Sequence, residues 1–206
     1  MVGVSQLAIA MEMDERPRSD GGAEMLLVSH AQRDPAAFAR LYEIYYDDVY
    51  RYCYHRLRDV SAAEDAASVV FTNALAAMPR FRIDGRAGSF RSWLFVIAHN
   101  VVANHHRKDE RWRVLPLGEA AHLHDRDPSP EDAAVASEAR QTIHDVLDRL
   151  TAEQRQVVEL RLSGLNDAEI GLVLGRRQGA VRAAQFRAVA RLRAILVPAQ
   201  GGASDA

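Results

Sequence analysis

In almost every segment of residues 24–196 the apolar positions return every three or four residues, and no stretch alternates convincingly between apolar and polar as a half-buried strand must. That period, together with well-marked helix starts, restricts the chain to an all-α fold. Behind Asp34 and Pro35, an N-cap and a first-turn proline, come Phe38, Leu41, Tyr42, Tyr45, Val49 and Tyr52 at helical intervals. Ser61 with Glu64, Thr151 with Gln154, and Asn166 with Glu169 each place a capping acceptor three residues before a side chain that can reach back to the cap N–H. Helices are expected at 24–32, 35–58, 61–78, 89–107, 131–149, 151–163, 167–174 and 178–196.

Residues 108–130, KDERWRVLPLGEAAHLHDRDPSP, lose the period and carry mixed charge and two separated proline sites. They read as a flexible linker between two small helical domains, 23–107 and 131–197, flanked by a flexible leader (1–22) and a disordered tail (198–206). With 48% apolar residues in 206, a packed core is expected, but each half taken alone has a small one.

Composition removes several function classes. Cys53 is the sole cysteine, so no intrachain disulfide or cysteine-based zinc site can form. No stretch approaches the roughly 20 apolar residues of a membrane span, and the first ten residues lack the features of an export signal, so a cytoplasmic location is expected. The carboxylates fall mostly at helix caps or in solvated runs, no nucleophile–base pair is evident, and nothing calls for a cofactor, a metal or a small-molecule substrate. The chain is therefore expected not to be an enzyme. A net charge of −2 hides local clusters of arginine, Lys108 being the only lysine.

One cluster lies near the C-terminus. A short helix from Asn166 stops at Gly175, and after a tight turn a longer helix follows, the spacing of a helix-turn-helix. Gly171, in mid-helix, implies a close helix crossing that leaves no room for a side chain. Ile170, Leu174, Val181, Ala184, Ala188 and Leu192 can form one small core. No acidic residue occurs from Gly175 to Val197, whereas Arg176, Arg177, Arg182, Arg187, Arg191 and Arg193 all do. In this motif the second helix enters the major groove, so Gln178, Arg182 and Gln185 are candidates for reading bases and the flanking arginines for phosphates. The alternative is an arginine-rich, solvated face on an alanine-rich helix.

A second cluster precedes the stretch GSFRSWLFVIAHNVVANHHRK (88–108). Arg80, Arg82, Arg86 and Arg91, opposed only by Asp84, form a cationic rim beside Phe81, Phe90 and Trp93, the combination that single-stranded DNA requires. On a helical projection Phe90, Leu94, Ile97, Ala98 and Val101 face the core. Ser92, His99, Ala103 and His106 fall on the other side, with Asn100 and Arg107 at its margin. His99 and His106 lie seven residues apart, about 10.5 Å of helix rise, too far to share one metal ion.

SAAEDAASVVFTNALAAMPRFR followed by GSFRSWLFVIAHNVVANHHRK resembles regions 2.2 to 2.4 of bacterial RNA polymerase sigma factors of the extracytoplasmic-function type. LDRLTAEQRQVVELRLSGLNDAEIGLVLGRRQGAVRAAQFRAVARLR resembles region 4 of the same family. The resemblance implies two helical domains, a region 2 and a region 4 helix-turn-helix, in a subunit that binds core polymerase through its clamp helices and flap. It implies Asp65 and Phe71 at the core-binding surface. A flipped base of the minus-ten element would enter the loop 79–90, with Arg80, Arg82, Arg86, Arg91, Trp93, His99, Asn100 and Arg107 on the strand. Arg176, Arg177, Gln178, Arg182, Gln185 and Arg187 would serve the minus-thirty-five element. Core polymerase, promoter DNA and an anti-sigma protein are the implied partners. Ser68 and Val69 depart from the usual region 2.2 pattern, which bears on the polymerase contact. In region 4 Thr151 replaces a common proline harmlessly, because threonine caps well, whereas Arg177 and Ala180 replace a frequent serine and threonine, so a promoter sequence cannot be inherited. A helix-turn-helix regulator working without polymerase is the competing expectation, although the arginine-aromatic loop has no task there.

Overall fold

The computed structural model describes residues 21–82, 88–112 and 144–196, with side chains within 22–82, 88–107 and 144–195. It is helical throughout these spans, in the order α1 (Gly21–Ala31), a 3-10 turn (Pro35–Ala37), α2 (Phe38–Leu57), α3 (Val60–Ala77), a 3-10 turn (Met78–Arg80), α4 (Phe90–Trp112), α5 (Ala152–Leu162), α6 (Asp167–Leu174) and α7 (Gln178–Leu196). Residues 144–148 are also helical, and the rest of the helix expected over 131–149 lies outside the described residues. No strand occurs among the described residues, and no helix there is long and apolar enough to cross a membrane.

Local chemistry accounts for most boundaries. Pro35 opens a 3-10 turn capped by Asp34, and the α-helix proper begins at Phe38. α2 buries Phe38, Leu41, Tyr45, Val49 and Tyr52, and it ends where Arg58 takes the left-handed conformation (φ 60°) and returns its N–H to the Tyr54 carbonyl. Two expectations fail here. α3 is capped by Asp59, whose Oδ1 accepts from the Ala62 N–H at 2.7 Å, so no box forms between Ser61 and Glu64. α4 continues to Trp112, five residues into the segment expected to be linker. The capping boxes at Thr151–Gln154 and Asn166–Glu169 both form.

α2, α3 and α4 pack together, and the small buried residues Ala63, Ala66, Ala67 and Ala74 let α3 lie close to its neighbours. The main apolar cluster does not stop at the end of this half. It runs from Val28, Leu41, Phe90 and Phe95 into Val157, Leu160, Leu165, Ile170 and Val181 of the C-terminal half. The single helix-turn-helix core expected from Ile170 to Leu192 is accordingly split: Ile170, Val181 and Ala184 join the main cluster, while Ala188 and Leu192 pack with Val146, Leu147, Leu150 and Val158. Two helical halves remain distinct in sequence but share one hydrophobic interior. Buried area drives this merger, because neither small core excludes much water alone.

Candidate nucleic-acid interface

Ser89 starts α4 as an N-cap: its Oγ accepts from the Ser92 N–H at 3.2 Å, and its carbonyl accepts from the Trp93 N–H at 3.2 Å. Around that start Phe81, Phe90 and Trp93 form a triangle with centroids 4.5 to 5.7 Å apart. Phe81 and Phe90 are buried, and Gln32 Nε2 donates to the Phe81 carbonyl at 2.5 Å. Both rings therefore anchor the loop to the core, as the helical projection has it for Phe90 but not as the cationic rim with its aromatics has it for Phe81. Trp93 alone of the three borders open space.

That space is a groove of about 310 Å³ between α3 and α4, floored by Trp93, Ile97 and Val101 and edged by Asn73, Asn100 and Asn104. Among the described residues no ionisable side chain lines it. Asn73 and Asn100 offer both donors and acceptors, while Asn104 Oδ1 already accepts from Arg107, so the groove suits a flat, neutral, hydrogen-bonding group better than a phosphate. Arg80, Arg82 and Arg107 are exposed, and Arg86 lies outside the described residues. Asn100, expected beside the strand, lines this groove together with Asn73 and Asn104, neither of which the sequence singled out. The Asn100–Asn104 spacing was visible in the sequence, but Asn73 reaches the groove only because α3 packs on α4.

Two expected strand contacts are otherwise engaged. His99 Nδ1 lies 3.0 Å from the Tyr52 hydroxyl, and burial, aided by Arg56, lowers its pKa, so it is neutral and turned into the protein. Ser92, placed with it on the polar side, is fully buried. The open side of α4 is instead 93, 97, 100, 101 and 104, rotated from the face expected. Arg91, only 19% exposed, donates to Asp48 Oδ2 at 2.6 Å and to the Ser163 carbonyl at 2.7 Å.

A second groove, about 430 Å³, runs between α2 and α3, where Tyr42, Tyr46 and Phe71 stack with centroid separations of 4.6 to 6.2 Å. Phe71 is 4% exposed and forms the floor, not a projecting contact. Tyr42 and Leu75, each 40% exposed, supply the accessible apolar surface beside it, and Asp65 is exposed on α3. An apolar groove along two helices with acidic side chains at hand is a seat for another helix.

In the C-terminal half Gly175 closes α6 in the left-handed conformation (φ 63°). A Cβ on Gly171 would stand 2.7 Å from the Arg176 carbonyl oxygen, so the close neighbour is the turn itself and not a crossing helix. Arg176, Arg177, Gln178, Arg182 and Arg187 are all exposed on the turn and on α7. Arg182 keeps its Nε 2.7 Å from Asp167 Oδ2, and Arg176 pairs with Glu153 at 2.6 Å, with Arg187 at 4.0 Å from the same carboxylate. Gln185 differs from the expectation: it is half-buried, and its Oε1 accepts from Arg161 at 2.8 Å, so it braces α7 against α5.

Comparison with known proteins agrees with this layout. The family profile described as sigma-70 region 2 matches residues 41–113, and that of sigma-70 region 4 matches residues 140–192. The ECF RNA polymerase sigma factor BldN of Streptomyces coelicolor is 40% identical over 86% of this chain and 67% of its own length. SigD of Mycobacterium tuberculosis, also an ECF RNA polymerase sigma factor, is 35% identical over 73% of each chain. Among solved structures, CnrH in complex with the cytosolic domain of CnrY has a TM-score of 0.65 at 23% identity, covering 84% of this chain and 97% of that one. The sigma factor RpoE in complex with the anti-sigma factor NepR from Bartonella quintana has a TM-score of 0.55 at 19% identity, covering 77% and 96%. These two share the fold.

Proposed function

Because this chain belongs to the extracytoplasmic-function family of RNA polymerase sigma factors, we propose how its two halves divide the work of promoter opening. It is an alternative sigma factor that binds core polymerase, directs promoter recognition and melting, and so initiates transcription of a particular regulon. The reaction chemistry is left to the polymerase, and the work is done in the cytoplasm where the polymerase is.

The N-terminal half, close to the boundaries 23–107, carries both region 2 tasks. The aromatic groove of Tyr42, Tyr46 and Phe71, with Asp65 nearby, receives the polymerase clamp helices. The asparagine groove holds a base unstacked from the non-template strand, and Arg80, Arg82 and Arg107 follow its phosphates. Unstacking costs a few kcal/mol, which one filled groove and several phosphate contacts can offset. The C-terminal half, within 131–197, lays α7 in the major groove of the minus-thirty-five element. There Gln178 and Arg182 meet base edges while Arg176, Arg177 and Arg187 hold phosphates. An anti-sigma protein, as RpoE of Bartonella quintana has in NepR, is the expected inhibitory partner.

The observation that carries the residue assignment is the neutral carboxamide groove beside exposed arginines, since a strand offers bases and phosphates in that juxtaposition. The test uses purified chain, core polymerase and a promoter of the regulon, with permanganate reactivity reporting strand opening. Asn73→Ala and Asn100→Ala should reduce opening with polymerase affinity unchanged. Asp65→Ala should weaken polymerase binding, and Arg182→Ala should weaken minus-thirty-five binding alone. Tight duplex binding by the free chain, with neither polymerase association nor opening, would return it to the class of simple regulators.

A further inference from the structure

Arg182, an exposed side chain of α7, is tied to the helix before it. Its Nε donates to Asp167 Oδ2 at 2.7 Å, and Arg161 of α5 donates through Nη2 to Oδ1 of the same carboxylate. Arg161 also donates to Gln185 Oε1 at 2.8 Å, three residues beyond Arg182, so one polar set links α5, α6 and α7. Exposure rises outward along it, from 6% for the Arg161 side chain through 11% for Asp167 to 67% for Arg182. Asp167 is the first residue of α6, where the capping box of Asn166 and Glu169 fixes the backbone that carries it.

The geometry points to Asp167 as a specificity-determining positioning residue, which holds the Arg182 guanidinium end-on to the major groove so that it selects guanine. The proposal rests on the reading of α7 as the helix that meets minus-thirty-five base edges. An arginine free to change rotamer also reaches phosphates, where its charge carries no sequence information. One held by Nε keeps Nη1 and Nη2 as a pair, and that pair matches guanine O6 and N7. The other three bases do not present two adjacent acceptors in the major groove, so ordering the side chain before binding favours guanine over them. Asp167 itself does not repel the DNA, because it is almost wholly covered and two guanidiniums flank its single charge. Arg161 fixes the carboxylate in turn, and it does so from the interior, where an unpartnered charge is costly.

The test uses the full chain with core polymerase and a pool of promoter duplexes in which the minus-thirty-five positions are randomised, and the bound fraction is sequenced. Base preference at each position is a ratio within one sample, so it does not depend on how much of a variant is folded. The unaltered chain should prefer guanine at one position by at least about tenfold, and Arg182→Ala should abolish that preference. Asp167→Asn should lower it at least about threefold at the same position and leave the other positions unchanged. Because Asp167→Asn leaves Arg161 buried without its countercharge, Arg161→Met/Asp167→Asn is measured beside it and should show the same loss. In the Arg182→Ala background Asp167→Asn should change nothing further. The positioning role is overturned if Asp167→Asn keeps the guanine preference, flattens every position alike, or adds to the loss in Arg182→Ala. An Arg182→Ala chain with every preference intact would instead sink the placement of Arg182 on a base edge, and the role of Asp167 with it.

Discussion

At Gly171 and Gly179 the same residue type has opposite reasons for being there. Gly171 is buried in α6, and any side chain would meet the backbone oxygen of Arg176, which cannot swing away as a flexible side chain could. Gly171→Ala should therefore lower stability by about 1–3 kcal/mol despite the better helix propensity of alanine, as a shifted urea midpoint would register. Gly179, the second residue of α7, has open space where a methyl group would stand, with nothing within 4 Å, so Gly179→Ala should stabilise by up to about 1 kcal/mol. Buried Cys53, whose thiol burial pushes up to about 12, will stay unreactive toward thiol reagents until the chain unfolds.

At the level of the element, α6 depends on its ends. It has eight residues, too few to persist alone, and its first turn is closed by the reciprocal bonds of Asn166 and Glu169. Asn166→Ala should cost about 1 kcal/mol, seen as a lower melting temperature. Glu169→Ala should cost more, because it removes the hydrogen bond from Ser89 as well as the cap to the Asn166 N–H, and its melting temperature should fall below that of Asn166→Ala. α4 shows how a helical face is chosen. Both sides of it are partly polar, and the side bearing Ser92 and His99 became interior because α2 supplies a hydroxyl at Tyr52 for the imidazole. That left the asparagine side open.

For the whole molecule, the junction of the halves carries a pH dependence. His55 and His144 face each other with ring centroids 5.9 Å apart, beside Tyr54. Burial, then the neighbouring charges, lowers both: His55 to about 4 through His144 and Arg51, and His144 through Arg58 and Arg155 against an opposing Asp145. The folded chain thus refuses protons that the unfolded chain accepts near 6.5, so stability is full above that pH and falls as pH drops from 6.5 toward 4. Glu159 acts in the opposite sense, since burial raises its pKa and outweighs Arg56. Urea midpoints followed by tryptophan fluorescence should decline below pH 6.5, and His55→Gln should flatten that decline. A midpoint independent of pH from 7 to 5 would show that the histidine pair does not govern the junction.

The all-α class, the helix-turn-helix and two of three capping boxes were written in the sequence, because period, caps and a left-handed glycine are properties of residues a few positions apart. So were the exposed arginines of α7, whose charge needs no partner to be read. The tertiary structure alone decided that Phe81 is an anchor, that Gln185 and His99 turn inward, that Asn73 joins Asn100 and Asn104 across two helices, and that Arg91 and Ser89 answer to the other half. Each of those outcomes depends on which surfaces two helices bury against one another. At the margins of a helix's apolar stripe the local period leaves a side chain's direction open, and the packing and polar partners supplied by distant segments settle which of those residues face out.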